Sequence, residues 1–259
     1  MLTVATLFSN SKGNCAFIAS ETTKILIDAG AAAYRIEQSL MDLGASMDEI
    51  NAILITHEHI DHVRSAGSLS RRYNIPIYAT YKVWQEYTGF GNIHRENQIQ
   101  YEYGMTIGDL SFDFFKTYHD AVQPLGIVVM CGDKKVGICT DTGIFTPTMA
   151  EKLRGANALI FEANHDLEML WKGRYPQNTK RRIAGQFGHL SNEDAGKALT
   201  KIITKDTQYV ALAHLSEENN RPELALQTVH DILQSQNLLE TLELQVAPPY
   251  HTSKLMIIK

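Results

Sequence analysis

The chain has 259 residues, 44% of them apolar, and a formal net charge of −5. That length and apolar content allow one large core, and no apolar run of about 18 residues is present to cross a membrane as a helix. The negative balance argues against nonspecific binding of nucleic acid by the whole surface, although it leaves a local basic site open.

In chain order, the segment Met1–Ala5 has neither the basic flank nor the long apolar stretch of a secretory signal. β-rich runs bounded by Gly, Asn, Ser or Thr predict strands over 2–8, 15–19, 24–28 and 52–56. Apolar periodicity predicts helices over 33–43, after the break at Gly30, and over 63–73. Further strands are expected at 77–79, 110–117, 126–131 and 135–140. The order then recurs, with a helix over 146–154, a buried strand at 158–162, a capped helix over 192–203, a strand at 209–213 and a helix over 222–236. Strands at 243–246 and 254–258 close the chain. Neither a low-complexity linker nor an internal repeat interrupts this order. The pattern predicts an α/β sheet sandwich flanked by helices, one domain over residues 1–259, with its site along one edge. Cys15, Cys131 and Cys139 are odd in number and far apart, which suits free thiols in a reducing cytoplasm better than disulfides or a CxxC zinc site.

The densest chemistry is His57-Glu58-His59-Ile60-Asp61-His62, directly after the apolar run Ala52–Thr56. Imidazole and carboxylate are ordinary ligands of zinc, manganese and iron, and a strand end holds such a loop steady enough to aim several donors at one point. Four later or earlier segments repeat the arrangement of strand followed by a polar donor: Asp28, His119, Asp141 and His214. A lone histidine after a strand is more often a satisfied structural residue, but several beside this cluster point to a metal site.

These residues resemble the metallo-β-lactamase-fold hydrolases, from the first strand to His214. The family's HxHxDH signature matches His57, His59, Asp61 and His62, and its later ligand positions match His119, Asp141 and His214. The resemblance implies a four-layer αββα sandwich and two divalent cations, Zn2+ or Mn2+ with Fe also compatible. One cation would take His57, His59 and His119, the other Asp61, His62 and His214, with Asp141 bridging; Asp28 would orient the cluster loop. Such a site stays weakly positive, roughly +1 with a bridging hydroxide, and so attracts an anionic substrate. His59 in place of a glutamate argues against the diiron oxygen-reducing branch, and Asp141 in place of a cysteine argues against the most studied β-lactamases.

The segments Tyr175–Ile183, Gly188–Asn192, Ser9–Cys15 and Glu162–Asp166 resemble the YycJ-type subgroup, also called VicX or WalJ. Its members act as DNA exonucleases from a 5′ end, which implies a dinuclear phosphodiesterase working through a metal-bound hydroxide held near Asp61. His189 matches the place of a His-Ser-Thr element in transfer-RNA processing relatives, where a histidine would neutralise the phosphate or protonate the leaving oxygen. Ser191 and Asn192 also read as helix caps, which leaves His189 a structural role as the alternative. Lys180, Arg181 and Arg182 lie just upstream and are candidate phosphate contacts. The expected partner is nucleic acid, DNA before RNA, with no membrane and no oligomeric state specified. An RNA-processing nuclease of the same fold and a thioester or lactone hydrolase are the competing readings. His94, His230 and His251 read as structural or surface residues.

Overall fold

A computed structural model describes residues 1–258. The first sheet opens with β1 (Leu2–Asn10), β2 (Gly13–Ala19) and β3 (Lys24–Ile27). After α1 (Ala33–Asp42) come β4 (Ala52–Leu54), α2 (Ile60–Val63), α3 (Ala66–Tyr73), β5 (Ile77–Ala79), α4 (Tyr81–Glu86) and β6 (Gln98–Gln100). The second sheet is laid down as β7 (Met105–Ile107), β8 (Leu110–Lys116), β9 (Leu125–Cys131) and β10 (Lys134–Cys139). It continues through α5 (Pro147–Leu153), β11 (Ala158–Glu162), α6 (Leu167–Lys172), α7 (Gln177–Ile183) and α8 (Asn192–Ile202). β12 (Tyr209–Ala213), α9 (Pro222–Ser235) and β13 (Glu243–Val246) complete it, and β14 (Met256–Ile258) returns to the first sheet beside β1.

The strand orders are β14-β1-β2-β3-β4-β5-β6 and β13-β12-β11-β10-β9-β8-β7. Each sheet is antiparallel on one flank and parallel on the other. In the first, β3 to β6 run parallel; in the second, β10 to β13 do. Parallel neighbours need a crossover, and helices supply it. The carboxyl ends of parallel strands are where α/β sheets present ligand-binding groups, and β3, β4, β10, β11 and β12 all end at the site described below.

Packing explains the unbroken apolar runs that made the strands legible. Ile25 and Ile27 of β3 face Ile138 and Ile160 of the other sheet in the central layer. Leu26, between them, faces outward onto Ile36, Leu40 and Leu69 of α1 and α3. On the far side, Leu159 and Phe161 of β11 pack under Met149, Leu199 and Val229 of α5, α8 and α9. A strand covered on both faces has no polar side to show, so it reads as a continuous hydrophobic segment. The result is the four-layer αββα sandwich that the resemblance implies. None of the described helices is long and apolar enough to cross a membrane.

Several boundaries moved. The helix expected over 63–73 is two pieces, because the Ser65 amide turns away to bond the Ala29 carbonyl. α4, α6 and α7 were not anticipated; with 6 or 7 residues each they are too short for periodicity to register. β6 and β7 are three-residue strands, and the solvent-facing Gln-Ile-Gln of β6 carries no apolar signature. Asp166 caps α6, its side chain accepting from the Met169 amide at 2.8 Å.

Candidate metal centre

Three strands end in the same unusual way. Asp28 after β3, Asp141 after β10 and His214 after β12 have φ of 61°, 59° and 57°. This left-handed conformation is uncommon for residues other than glycine, although Asp, Asn and His tolerate it best, and it concentrates at functional sites. It turns each side chain off its strand and into the seam between the sheets.

The donor atoms then converge. His57, His59 and His119 bring ring nitrogens within 4.8 Å of one another, as do the groups Asp61–His62–His214, His57–His62–Asp141 and Asp141–Glu162–His189–His214. His119 Nε2 lies 3.2 Å from His59 Nδ1 and 3.6 Å from Asp141 Oδ1. His62 Nε2 lies 3.4 Å from both Asp61 Oδ2 and Asp141 Oδ2, and His214 Nε2 lies 3.6 Å from Asp61 Oδ2. All seven residues singled out as ligand candidates therefore border one cavity.

Hydrogen bonds behind the imidazoles decide which nitrogen each presents. His62 Nδ1–H donates to Asp28 Oδ2 at 2.7 Å. Thr56 gives its hydroxyl proton to the same oxygen, so His57 Nδ1–H donates to Thr56 Oγ1 at 3.0 Å. His119 Nδ1–H donates to the Gly188 carbonyl at 3.1 Å, and His214 Nδ1–H to Glu162 Oε1 at 3.1 Å. In all four the tied Nδ1–H leaves Nε2 as a lone-pair donor toward the cavity, the arrangement that supporting hydrogen bonds impose on metal-binding histidines.

Among the described residues, His57 Nε2, Asp141 Oδ2 and His214 Nε2 are buried without a hydrogen-bond partner. Buried polar atoms are nearly always satisfied, and three such atoms around one cavity are what a cation would complete. The electrostatics agree. Burial and the neighbouring His62 push the His57 imidazole well below its ordinary range, which keeps it neutral as a ligand must be. Burial alone would raise the Asp141 carboxyl, yet His214 and His62 hold it well below the usual carboxylate range. Burial also opposes charge on His214, but Asp141 and then Asp61 and Glu162 outweigh it and raise its pKa to about 10. The carboxylates thus draw positive charge into the cavity: protons in the metal-free protein, with divalent cations as competitors. This is a divalent-metal-binding site.

Close packing fixes the loop. A Cβ on Gly30 would lie 1.6 Å from the Asp61 carbonyl oxygen, so only glycine lets the segment after β3 pass under the cluster. Asn14 Nδ2 reaches across to Asp61 Oδ2 at 3.1 Å.

Two features escaped sequence reasoning. Glu162, at the end of β11, is fully buried and accepts from five donors, among them His189 Nδ1 at 2.8 Å and the amides of Asp141, Thr142 and Leu190. Burial would raise its carboxyl, but His189 and His214 bring it down to about 2. A glutamate closing an apolar strand gave no hint of this beyond its membership of the Glu162–Asp166 segment. The second is a correction. Lys180 is buried, and its ammonium donates to the Trp171 carbonyl at 2.8 Å, so it is not a phosphate contact. Helical geometry separates it from its neighbours on α7: Arg181 faces solvent, and Arg182 pairs with Asp120 at 2.7 Å. Asp120 in turn lies 3.3 Å from His119 Nε2, which brings Arg182 to the rim. His165 is buried, while His94, His230 and His251 are exposed away from the cluster.

Comparison with known proteins agrees with this geometry. The family model described as the Beta-lactamase superfamily domain matches residues 23–214. The chain is 36% identical over 257 residues to Exodeoxyribonuclease YycJ of Bacillus anthracis, covering 97% of both proteins. It is 37% identical over 228 residues to Exodeoxyribonuclease WalJ of Streptococcus pneumoniae D39, covering 86% of this chain and 85% of that one. Among solved structures, the metallo-β-lactamase-fold protein YhfI from Bacillus subtilis superposes with a TM-score of 0.69 at 16% identity, over 97% of this chain and 98% of that one. The chain therefore belongs to the metallo-β-lactamase superfamily, within its YycJ/WalJ group.

Proposed function

We propose that this protein is a divalent-metal-dependent phosphodiesterase that shortens DNA strands from the 5′ end, residues 1–259 working as one domain in the cytoplasm. One observation carries the chemistry: His189, 17% exposed at its side chain, stands on the buried Glu162 carboxylate beside the pool of cation donors. In this reading His57, His59 and His119 would hold one cation and Asp61, His62 and His214 a second, with the Asp141 carboxylate available beside them. Divalent ions bound there supply an acidified water and offset phosphate charge. The donor set suits Zn2+, Mn2+ and Fe.

The chain's own groups do the rest. Asp61 stays ionised, because His62 and His214 outweigh the effect of burial, and Asn14 holds it in place to orient the attacking water. His189 uses Nδ1–H to grip Glu162, which leaves Nε2 to pass a proton to the leaving oxygen. Arg181 and Arg182 meet phosphates at the mouth of the site. The choice of DNA is supported by the exodeoxyribonuclease relatives at 36% and 37% identity.

The test is digestion of end-labelled DNA and RNA strands of one sequence by manganese-loaded protein, each blocked at the 5′ or the 3′ end. DNA should be shortened and a 5′ block should protect it. Cleavage of RNA alone would replace this reading with RNA processing. Turnover of thioesters or lactones with neither strand cut would replace it with a small-molecule hydrolase, and protection by the 3′ block would reverse the polarity.

A further inference from the structure

A cleft of about 350 Å³ shares a wall with the metal centre. Lys82, Lys116, His119, Gln123, Pro124 and Phe187 are among the residues that line it. Phe187 is 55% exposed, a costly position for a large aromatic ring only two residues before His189. It is not loose. The next residue, Gly188, is buried; its carbonyl accepts from His119 Nδ1, and a Cβ there would lie 2.1 Å from the Ile183 carbonyl oxygen. The loop is thus fastened to a cation-donor histidine on one side and packed against the end of α7 on the other. That holds Phe187 in solvent at the lip of the cleft.

The lining is also basic. Lys82 and Lys116 are exposed, and Lys116 Nζ sits 5.2 Å from the centre of the Tyr118 ring. Lys24, Lys134, Lys152, Lys172, Lys197 and Lys254 are all paired with carboxylates. Among the described residues, Lys82 and Lys116, like Lys135, Lys201 and Lys205, have no carboxylate within 4.0 Å. In a chain of net charge −5, two unpaired ammonium groups in the same cleft as a fixed exposed ring form a local match to an anion that carries a flat aromatic group. A nucleotide has both. The volume is in the range that holds one small-molecule unit, and it is too small for a base pair with its two backbones.

We propose that this cleft is a single-strand subsite: Phe187 stacks on one unpaired base while Lys82 and Lys116 hold the adjoining phosphates, so that DNA reaches the metal centre unpaired. The proposal rests on the DNA-nuclease reading and adds to it the form of the substrate and the residues that select it. Stacking on an aromatic side chain is tolerant of sequence, which suits an enzyme that must accept every nucleotide in turn.

The test is fluorescence anisotropy of manganese-loaded full-length protein with two labelled single strands, both phosphorothioate-linked to resist cleavage. One is a short oligothymidylate; the other has the same length and backbone but no bases. The wild type should prefer the strand with bases by about tenfold. Phe187→Ala should bind both alike, and Phe187→Tyr should keep the preference. Lys82→Gln with Lys116→Gln should weaken both strands equally and reduce the salt slope by about 1.4, or about 0.7 per lost phosphate contact. Equal binding of the two strands by the wild type, or an undiminished preference in Phe187→Ala, overturns the subsite and leaves the nuclease reading standing. If the wild type binds neither strand and also fails to digest labelled DNA, both fall together.

Discussion

Glu162→Gln tests the centre at its most connected point. Oε1 accepts from the Asp141 amide at 3.1 Å, His189 Nδ1 at 2.8 Å and His214 Nδ1 at 3.1 Å, while Oε2 accepts from the amides of Thr142 at 3.1 Å and Leu190 at 3.0 Å. Glutamine can present its one oxygen to only one of these groups, and its NH2 then faces donors at the other. The better orientation abandons two buried donors, Thr142 and Leu190. Each costs about 1–3 kcal/mol, so the variant should lose at least about 2 kcal/mol. For a chain of this size that lowers the melting temperature by about 4–8 °C. The DNA-cleavage rate should drop further, by about 100-fold, because His189 loses the anion that orients it. Calorimetry in chelator reads the first effect and single-turnover digestion reads the second. An unchanged melting temperature would refute the hydrogen-bond count. A lowered melting temperature with an undiminished rate would refute the proton-donor role and leave Glu162 purely structural.

Asp28→Asn should weaken metal binding about 10–100-fold in chelator competition, because His62 Nδ1–H and the Thr56 hydroxyl compete for acceptors that the amide half-removes; asparagine tolerates the left-handed backbone, so unchanged affinity would count against the relay to His57 and His62. Gly30→Ala should cost about 1–3 kcal/mol and lower bound metal, since its Cβ collides with the Asp61 carbonyl; a full metal complement with wild-type melting would refute this. His165 is held neutral by burial and secondarily by His189, with its pKa pushed down to about 4. A folded value below the unfolded one, about 6.5, gives stability that is present above that pH and lost as pH falls toward 4, by about 1.4 kcal/mol per unit. Over that interval the unfolding free energy of His165→Leu should fall less steeply than that of the wild type; parallel curves would exclude the buried neutral histidine.

Legibility followed locality. β3, β4, β11 and β12 could be read because strands covered on both faces are written as nearly unbroken apolar runs. Asp28 and His214 could be found because each stands at the residue after such a run, and Asp141 because it stands two residues beyond β10. The short helices and the edge strands β6 and β7 had too few residues to carry a period. The basic run on α7 failed for a different reason: three adjacent charges look alike in sequence, yet a helix turns each to a different side, and Lys180 met the Trp171 carbonyl instead of solvent.

The amino-acid sequence alone determined the kinds of donor, their positions at strand ends and the layered order of the chain, because these depend on neighbours a few residues apart. Only the tertiary structure decided which nitrogen of His62, His119 and His214 faces the cavity, and it did so through partners far along the chain. His62 answers to Asp28 across 34 residues, His214 to Glu162 across 52 and His119 to Gly188 across 69. An imidazole has two nearly equivalent nitrogens, and no local preference separates them. The hydrogen bond that ties one of them, brought there by packing two sheets face to face, selects the other as the donor.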